Sequence, residues 1–240
     1  MSLAQQVASV QARIAAAARQ AGRDPEEITL VAATKTQTSD TIRAAIAAGI
    51  TVCGENRVQE MSAHLDDDAY AGARLHFIGH LQTNKVRQVV GRVDLIESVS
   101  SLRLLEAIEA QAAKLDLVQD ILLEVNIGGE ASKSGLLPAE TPQMARLAAG
   151  RPHIRLRGLM AIPPAASIAG GNRKFFAQMR QLFVDIRTLL TDNKSDIDCL
   201  SMGMSGDFED AVQEGATLVR VGTALFGPRP PVRTAQNEGQ

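Results

Sequence analysis

The sequence predicts a (β/α)8 TIM barrel with an extra N-terminal helix, and three observations predict it. Eight short apolar runs alternate strictly with helix-like stretches. The runs carry no helical stripe and no regular polar face, as expected of strands buried on both sides. The chain of 240 residues is close to the roughly 250 that eight such units occupy. Strands separated by helices pair in parallel through crossover connections. An open doubly wound sheet is the competing arrangement, but it normally uses fewer strands at this length. The chain therefore reads as one barrel domain over residues 1–240, with 228–240 as a frayed, flexible tail.

Val7, Val10, Ile14, Ala17 and Ala21 fall on one face of a first helix that stops at Gly22, the signature of an amphipathic segment. Ile28 to Ala33 (ITLVAA) is the first strand, apolar and partly β-branched. The helix Thr38 to Ala48 leads to a second strand, Thr51 to Cys53, and the helix Asn56 to His64 to a third, Leu75 to Ile78. Thr83 to Val90 is the next helix and Leu95 to Val99 the fourth strand. Leu102 to Leu115, Ile121 to Ile127, Pro138 to Ala149 and Ile154 to Met160 continue the alternation. The longest helix, Lys174 to Leu190, places Phe175, Met179, Leu182, Ile186 and Leu189 on one face, a stripe that covers a sheet. Ile197 to Leu200, the helix Asp207 to Glu214 and Thr217 to Val221 complete the set. Pro163 to Asn172 (PPAASIAGGN) reads as a flexible loop.

Composition narrows the function. With 45% apolar and 22% charged residues the chain is an ordinary globular one, neither disordered nor a disulfide scaffold. The balance of 25 basic to 27 acidic side chains, without a basic stripe, argues against nucleic acid as a partner. One tyrosine, six phenylalanines and no tryptophan leave little to stack bases on. Cys53 and Cys199 lie far apart without metal-site or dithiol spacing, which fits a reducing compartment and no bound metal. The N-terminal segment carries Arg13 and Arg19 and has no signal-peptide core, and no stretch reaches the ~18 apolar residues of a membrane span. A cytoplasmic protein is expected.

A barrel carries its chemistry at the C-terminal ends of its strands. After the first strand comes Thr34-Lys35-Thr36, where a lysine among apolar strand residues can form an imine, although a strand-end lysine is also simply a solvated one. After the second comes Gly54-Glu55-Asn56-Arg57, able to bond a ligand or to cap a helix. After the third comes Gly79 to Lys85. His76 and His80 span a strand and turn there, so they do not share a helix face as zinc ligands do. Ser201 to Gly206 and Gly222 to Gly227 follow the seventh and eighth strands, where barrels often hold a phosphate. Ser205 and Thr223 can each donate to phosphate oxygens, and Ser205 can also cap the helix opening at Asp207. Arg220, inside an otherwise apolar run, needs an acceptor in the barrel mouth. Strands one and eight are neighbours in a closed barrel, so lysine, arginine and phosphate cradle form one set. A phosphorylated aldehyde fits it, and pyridoxal 5'-phosphate (PLP) is the matching cofactor.

The chain resembles the pyridoxal phosphate homeostasis protein family, also called the proline synthetase co-transcribed family, nearly end to end. The resemblance rests on LVAATKTQ (Leu30 to Gln37), GENRVQE (Gly54 to Glu60), HFIGHLQTNK (His76 to Lys85), EVNIGGEASKSG (Glu124 to Gly135), RGLMAIPP (Arg157 to Pro164), LSMGMSGDFEDAVQEGAT (Leu200 to Thr217) and RVGTALFG (Arg220 to Gly227). It implies a barrel related to the N-terminal domain of alanine racemase, with the cofactor held as a Schiff base on Lys35. It further implies Asn56 beside the cofactor ring, Arg220 at the ring nitrogen, and Met204, Ser205, Gly222 and Thr223 around the phosphate. Members often have tyrosine where this chain has Arg57, and the loop Asn126 to Ser134 varies among them. The implied role is sequestering PLP, with PLP-dependent apoenzymes as recipients, and balancing vitamin B6 and amino or keto acid pools.

An arginine at the ring nitrogen disfavours its protonation and weakens the cofactor as an electron sink. The alternative, a PLP-dependent amino acid racemase, would use Lys35 as one base and His80 or Cys53 as the other. The family resemblance also implies that related racemases take a second base from a further domain, for which this chain is too short. Tyr70, in the polar stretch Asp66 to Tyr70, reads as a surface residue. A third reading keeps the phosphate loops for another phosphorylated metabolite and gives Lys35 no covalent part. A monomer is expected.

Overall fold

A computed structural model describes residues 1–165, 168, 170–190 and 197–228. Among these residues eight parallel strands close into a barrel in chain order. They are β1 (Thr29–Ala33), β2 (Val52–Glu55), β3 (Arg74–Phe77), β4 (Leu95–Val99), β5 (Gln119–Val125), β6 (Ile154–Ala161), β7 (Cys199–Ser201) and β8 (Leu218–Val221). Closure is made by β1 and β8, with Val31 opposite Arg220 and, on its other side, Val52 of β2. The barrel expectation holds and the open sheet is excluded.

The helices are α1 (Leu3–Gln20), α2 (Ser39–Ala47), α3 (Val58–Asp66), α4 (Leu102–Lys114), α5 (Thr141–Ala149), α6 (Arg173–Leu189), α7 (Phe208–Gln213) and α8 (Thr223–Phe226). Helix α1 begins with a capping box, Ser2 Oγ accepting from Gln5 N while Gln5 Oε1 accepts from Ser2 N, which satisfies two otherwise orphaned donors. It buries Val7, Val10, Ile14, Ala17 and Ala18. Ala21, expected on that face, is exposed because the helix has already ended and Gly22 takes φ +68°. In α6 the buried stripe is Phe176, Met179, Phe183 and Ile186, so Phe175 and Leu182 are only half-buried and Leu189 is exposed. Neighbouring phenylalanines made two adjacent faces equally apolar in sequence.

Thr83–Gln88 forms a 3-10 segment rather than an α-helix. Its six residues bury only Val86, too little apolar surface to hold an amphipathic α-turn against the sheet. The short helix α8 and a 3-10 turn at Pro25–Glu27 were not foreseen. Residues 166, 167 and 169 of the Pro163 to Asn172 loop, and 229–240 of the expected tail, lie outside the described residues. No helix among the described residues is long and apolar enough to cross a membrane.

Apolar side chains form two shells. Val31, Val52, Leu95, Leu122, Met160 and Leu218 fill the barrel interior, while Val7, Phe77, Phe176, Phe208 and Cys53 belong to the shell between strands and helices. Because residues two apart on a strand share a face, the interior layer nearer the mouth carries Ala33, Gly54, Glu97, Glu124 and Arg220. That layer becomes the floor of the site.

Candidate functional site

A cavity of about 260 Å3 opens at the C-terminal end of the barrel, and Lys35, Asn56, Met204, Ser205, Arg220, Gly222 and Thr223 all line it. Lys35 stands on the turn that ends β1. Thr34 before it is fully buried, and Thr36 after it adopts φ +66°, a conformation rare for a residue with a Cβ. The turn is pinned: Thr34 Oγ1 donates to Glu55 Oε1 at 2.6 Å, and Thr36 N donates to Glu60 Oε2 at 2.9 Å. Local strain held by several contacts is typical of a positioned functional side chain.

Opposite the lysine, Gly222 N and Ala224 N both donate to Ser205 Oγ, at 3.1 and 3.2 Å. The two accepted bonds occupy both lone pairs of the hydroxyl, leaving its own hydrogen to donate. This wall therefore gathers backbone donors around an oxygen and presents a hydroxyl beside Thr223. Ser205 does not cap α7 as expected. Asp207 takes the cap position, and its Oδ1 accepts from Met204 N at 2.7 Å, fastening the base of the 201–206 loop. Met204 is 40% exposed at the cavity rim.

On the floor, Arg220 is buried with its guanidinium fixed by Ser201 Oγ and by Ala161 O at 2.9 Å, and Glu97 Oε2 lies 3.8 Å away. Glu97 is itself held by His76 Nδ1 at 2.7 Å and by Ser201 Oγ at 2.6 Å. Burial would raise the Glu97 carboxyl, but the His76 contact and then the Arg220 charge outweigh it and hold it below the usual range. Burial lowers Arg220, opposed by Glu97, Glu124 and Asp207. Glu124, one strand position from the mouth, is pushed up to about 7 by burial, against the pull of Arg220. These acceptors were missed in sequence. Their signal was an acidic residue two positions after an inward-facing leucine in β4 and in β5, the same pattern that made Arg220 visible in β8.

Three expected residues fall elsewhere. Tyr70 is buried, not superficial, and its hydroxyl donates to Glu55 Oε1 at 3.0 Å behind the lysine turn. Cys53 faces the helices, with its thiol pushed up to about 12 by burial. His80 is exposed and within 3.1 Å of Ser134 Oγ. No cluster of metal ligands is found among the described residues.

Asn56 Oδ1 is buried in this cavity without a hydrogen-bond partner, which is costly unless a ligand supplies the donor. An orphaned acceptor, a donor-rich wall, a buried cation and a primary amine fit a molecule with a phosphate, an aromatic nitrogen heterocycle and an aldehyde.

The family model for the alanine racemase N-terminal domain matches residues 6–230. The chain is 40% identical over 228 residues to the pyridoxal phosphate homeostasis protein of Pseudomonas aeruginosa, covering 95% of this chain and 96% of that one. A crystal structure of a protein from Bifidobacterium adolescentis is 40% identical, with a TM-score of 0.86 over 93% of this chain and 94% of that one. PipY of Synechococcus elongatus, solved with PLP bound, is 32% identical with a TM-score of 0.81, covering 94% of this chain and all of the other.

Proposed function

We propose, from the premise that this chain belongs to the pyridoxal phosphate homeostasis protein family, that it binds PLP at the barrel mouth and serves PLP homeostasis and amino and keto acid balance. The observation that carries this reading is the convergence of Lys35, Asn56, Met204, Ser205, Arg220, Gly222 and Thr223 on one cavity. The cofactor supplies an aldehyde able to condense with a primary amine. Lys35 is that amine. Ser205 and Thr223 offer their hydroxyls to the phosphate, with Met204 and Gly222 lining the cradle around it, and Asn56 Oδ1 takes a donor from the ligand. Arg220 offers its guanidinium to the ring nitrogen, and Glu97 behind it keeps the arginine charged and still.

A guanidinium there would donate to the neutral ring nitrogen and disfavour a second positive charge, where a carboxylate would stabilise the protonated ring, so carbanion chemistry is restrained. The racemase alternative needs a second proton carrier facing Lys35. Cys53 faces away from the interior, and His80 is exposed beside Ser134 and does not line the cavity that holds Lys35, which favours a carrier over a two-base enzyme. We read the protein as a cytoplasmic monomer that passes PLP to apoenzymes, which light scattering and reactivation of a PLP-depleted enzyme test.

The central experiment is the ultraviolet-visible spectrum of the PLP-loaded protein before and after borohydride, with the modified peptide located by mass spectrometry. A visible band that borohydride bleaches, with the label on Lys35, is the expected result. A protein that takes up no PLP refutes the reading.

A further inference from the structure

Behind the lysine turn lies a cluster of His64, Tyr70 and Glu55 whose contacts require one more hydrogen than a neutral histidine, a phenol and an ionised carboxylate together contain. His64 on α3 places Nε2 at 3.1 Å from Gln37 O and Nδ1 at 3.1 Å from Tyr70 Oη. Tyr70 Oη is 3.0 Å from Glu55 Oε1, which also receives Thr34 Oγ1, a hydroxyl that lies 3.2 Å from Gly54 O as well. Glu55 and Thr34 are fully buried and the His64 side chain is only 12% exposed.

A backbone carbonyl only accepts, so Nε2 carries a hydrogen. The contact from His64 to Tyr70 and that from Tyr70 to Glu55 then need one hydrogen each, and the phenol supplies one. The other rests either on Nδ1, giving imidazolium and carboxylate, or on Glu55, giving imidazole and carboxylic acid. Both arrangements hold the same number of protons, so the proton belongs to the cluster and not to one residue.

The surroundings favour keeping it. Burial raises the Glu55 carboxyl, with Thr34, Tyr70 and His64 opposing and the charge of Glu60 on α3 adding to the rise. Asp67, at the C-terminal end of α3, interacts with His64 and is paired with Arg43 of α2 at 3.4 Å. Glu60 is paired with Arg57 at 3.0 Å. On β2, Cys53 is kept a neutral thiol by its own upward shift to about 12, and Lys35 stands on the turn itself.

We propose that Glu55, Tyr70 and His64 hold one proton in common and act as positioning residues for the Lys35 turn, whose hold on a bound aldehyde weakens when that proton leaves. Glu55 ties the turn at Thr34 and His64 ties it at Gln37. Once the proton is lost, only the phenolic hydrogen remains for two contacts. Nδ1 and Glu55 Oε1, 3.3 Å apart, then face each other as lone pairs, and one side of the clamp opens. The consequence for Lys35 rests on the PLP reading, whereas the shared proton does not.

The test begins with nuclear magnetic resonance of the full chain without PLP, labelled in histidine nitrogen and glutamate carboxyl, from about pH 5 to about pH 9. His64 and Glu55 are expected to change together in one step. Separate, independent steps would overturn the shared proton even if no variant folds. In Tyr70→Phe the step should move by about one pH unit or more, and an unmoved midpoint also overturns it. Borohydride trapping of added PLP on Lys35 is then measured against pH in both proteins. The trapping yield should fall across the cluster's step and shift with it in the variant. A yield that ignores the step overturns the positioning claim, while no labelling at any pH removes the PLP reading and leaves the resonance result standing.

Discussion

Gly79 lies directly against the backbone of Asn56: a Cβ at position 79 would stand 2.1 Å from Asn56 O and 2.6 Å from Asn56 Cα. The turn after β3 thus holds the turn after β2 in place, and with it the orphaned amide oxygen that faces the cavity. Gly79→Ala must displace Asn56. We expect a loss of about 2–3 kcal/mol in stability, at the upper end for overpacking, and about tenfold weaker PLP binding. Thermal unfolding and a PLP titration measure the two, and unchanged values in both would refute the contact's importance.

Lys35→Ala removes the amine while leaving the donor-rich wall at Ser205 and Gly222 intact. Borohydride should then label nothing, and inorganic phosphate should still compete for the residual, non-covalent PLP binding. Undiminished labelling at another lysine would assign the covalent role elsewhere.

Ser205→Ala deletes an oxygen that accepts from Gly222 N and Ala224 N. Losing such a cap costs about 1 kcal/mol, and the lost hydroxyl donor should weaken PLP about ten- to a hundredfold, in line with one hydrogen bond to a charged group. Urea unfolding and fluorescence titration read these out. Pyridoxal without its phosphate should bind the variant and the parent alike.

Glu124 gives a signed dependence on pH. Its carboxyl rises from an ordinary 4.5 to about 7 on folding because it is buried, so the folded state binds a proton that the unfolded state releases. Its stabilising contribution is full below about pH 4.5 and is lost as pH rises through about 7. The protein should therefore weaken over that window, and Glu124→Gln should recover up to about 3 kcal/mol above about pH 8. Parallel urea melts of parent and variant across the window would contradict this.

The barrel was legible because parallel strands buried on both faces leave continuous apolar runs, and the convergence of the candidate site on one cavity because its lysine, arginine and glycine loops sit at run ends. What stayed hidden depended on direction. Tyr70 follows three aspartates, a context that suggests solvent, yet its ring tucks behind β2 where Glu55 needs a donor. Cys53 sits between two inward-facing residues and so must point outward to the helices. For α6, Phe175 and Phe176 are one residue and about 100° apart on the helix, and only packing against the sheet selects between them. Ser205 was seen as a cap, but of the wrong segment, because the short α8 that it serves has no periodicity to read.

Lys35 stands on the turn after the first strand and Arg220 and Gly222 stand on and after the last, joined along the seam where Val31 meets Arg220. A ribosome must deliver nearly the whole barrel before this seam exists, so a growing chain presents an amine without a pocket. On the proposed reading, capture of the reactive aldehyde is then coupled to completed closure. PLP at a hundred times its dissociation constant would add about 2.7 kcal/mol to the folded state alone. On the proposed reading, PLP supply is expected to protect the folded chain, which thermal unfolding with and without PLP measures.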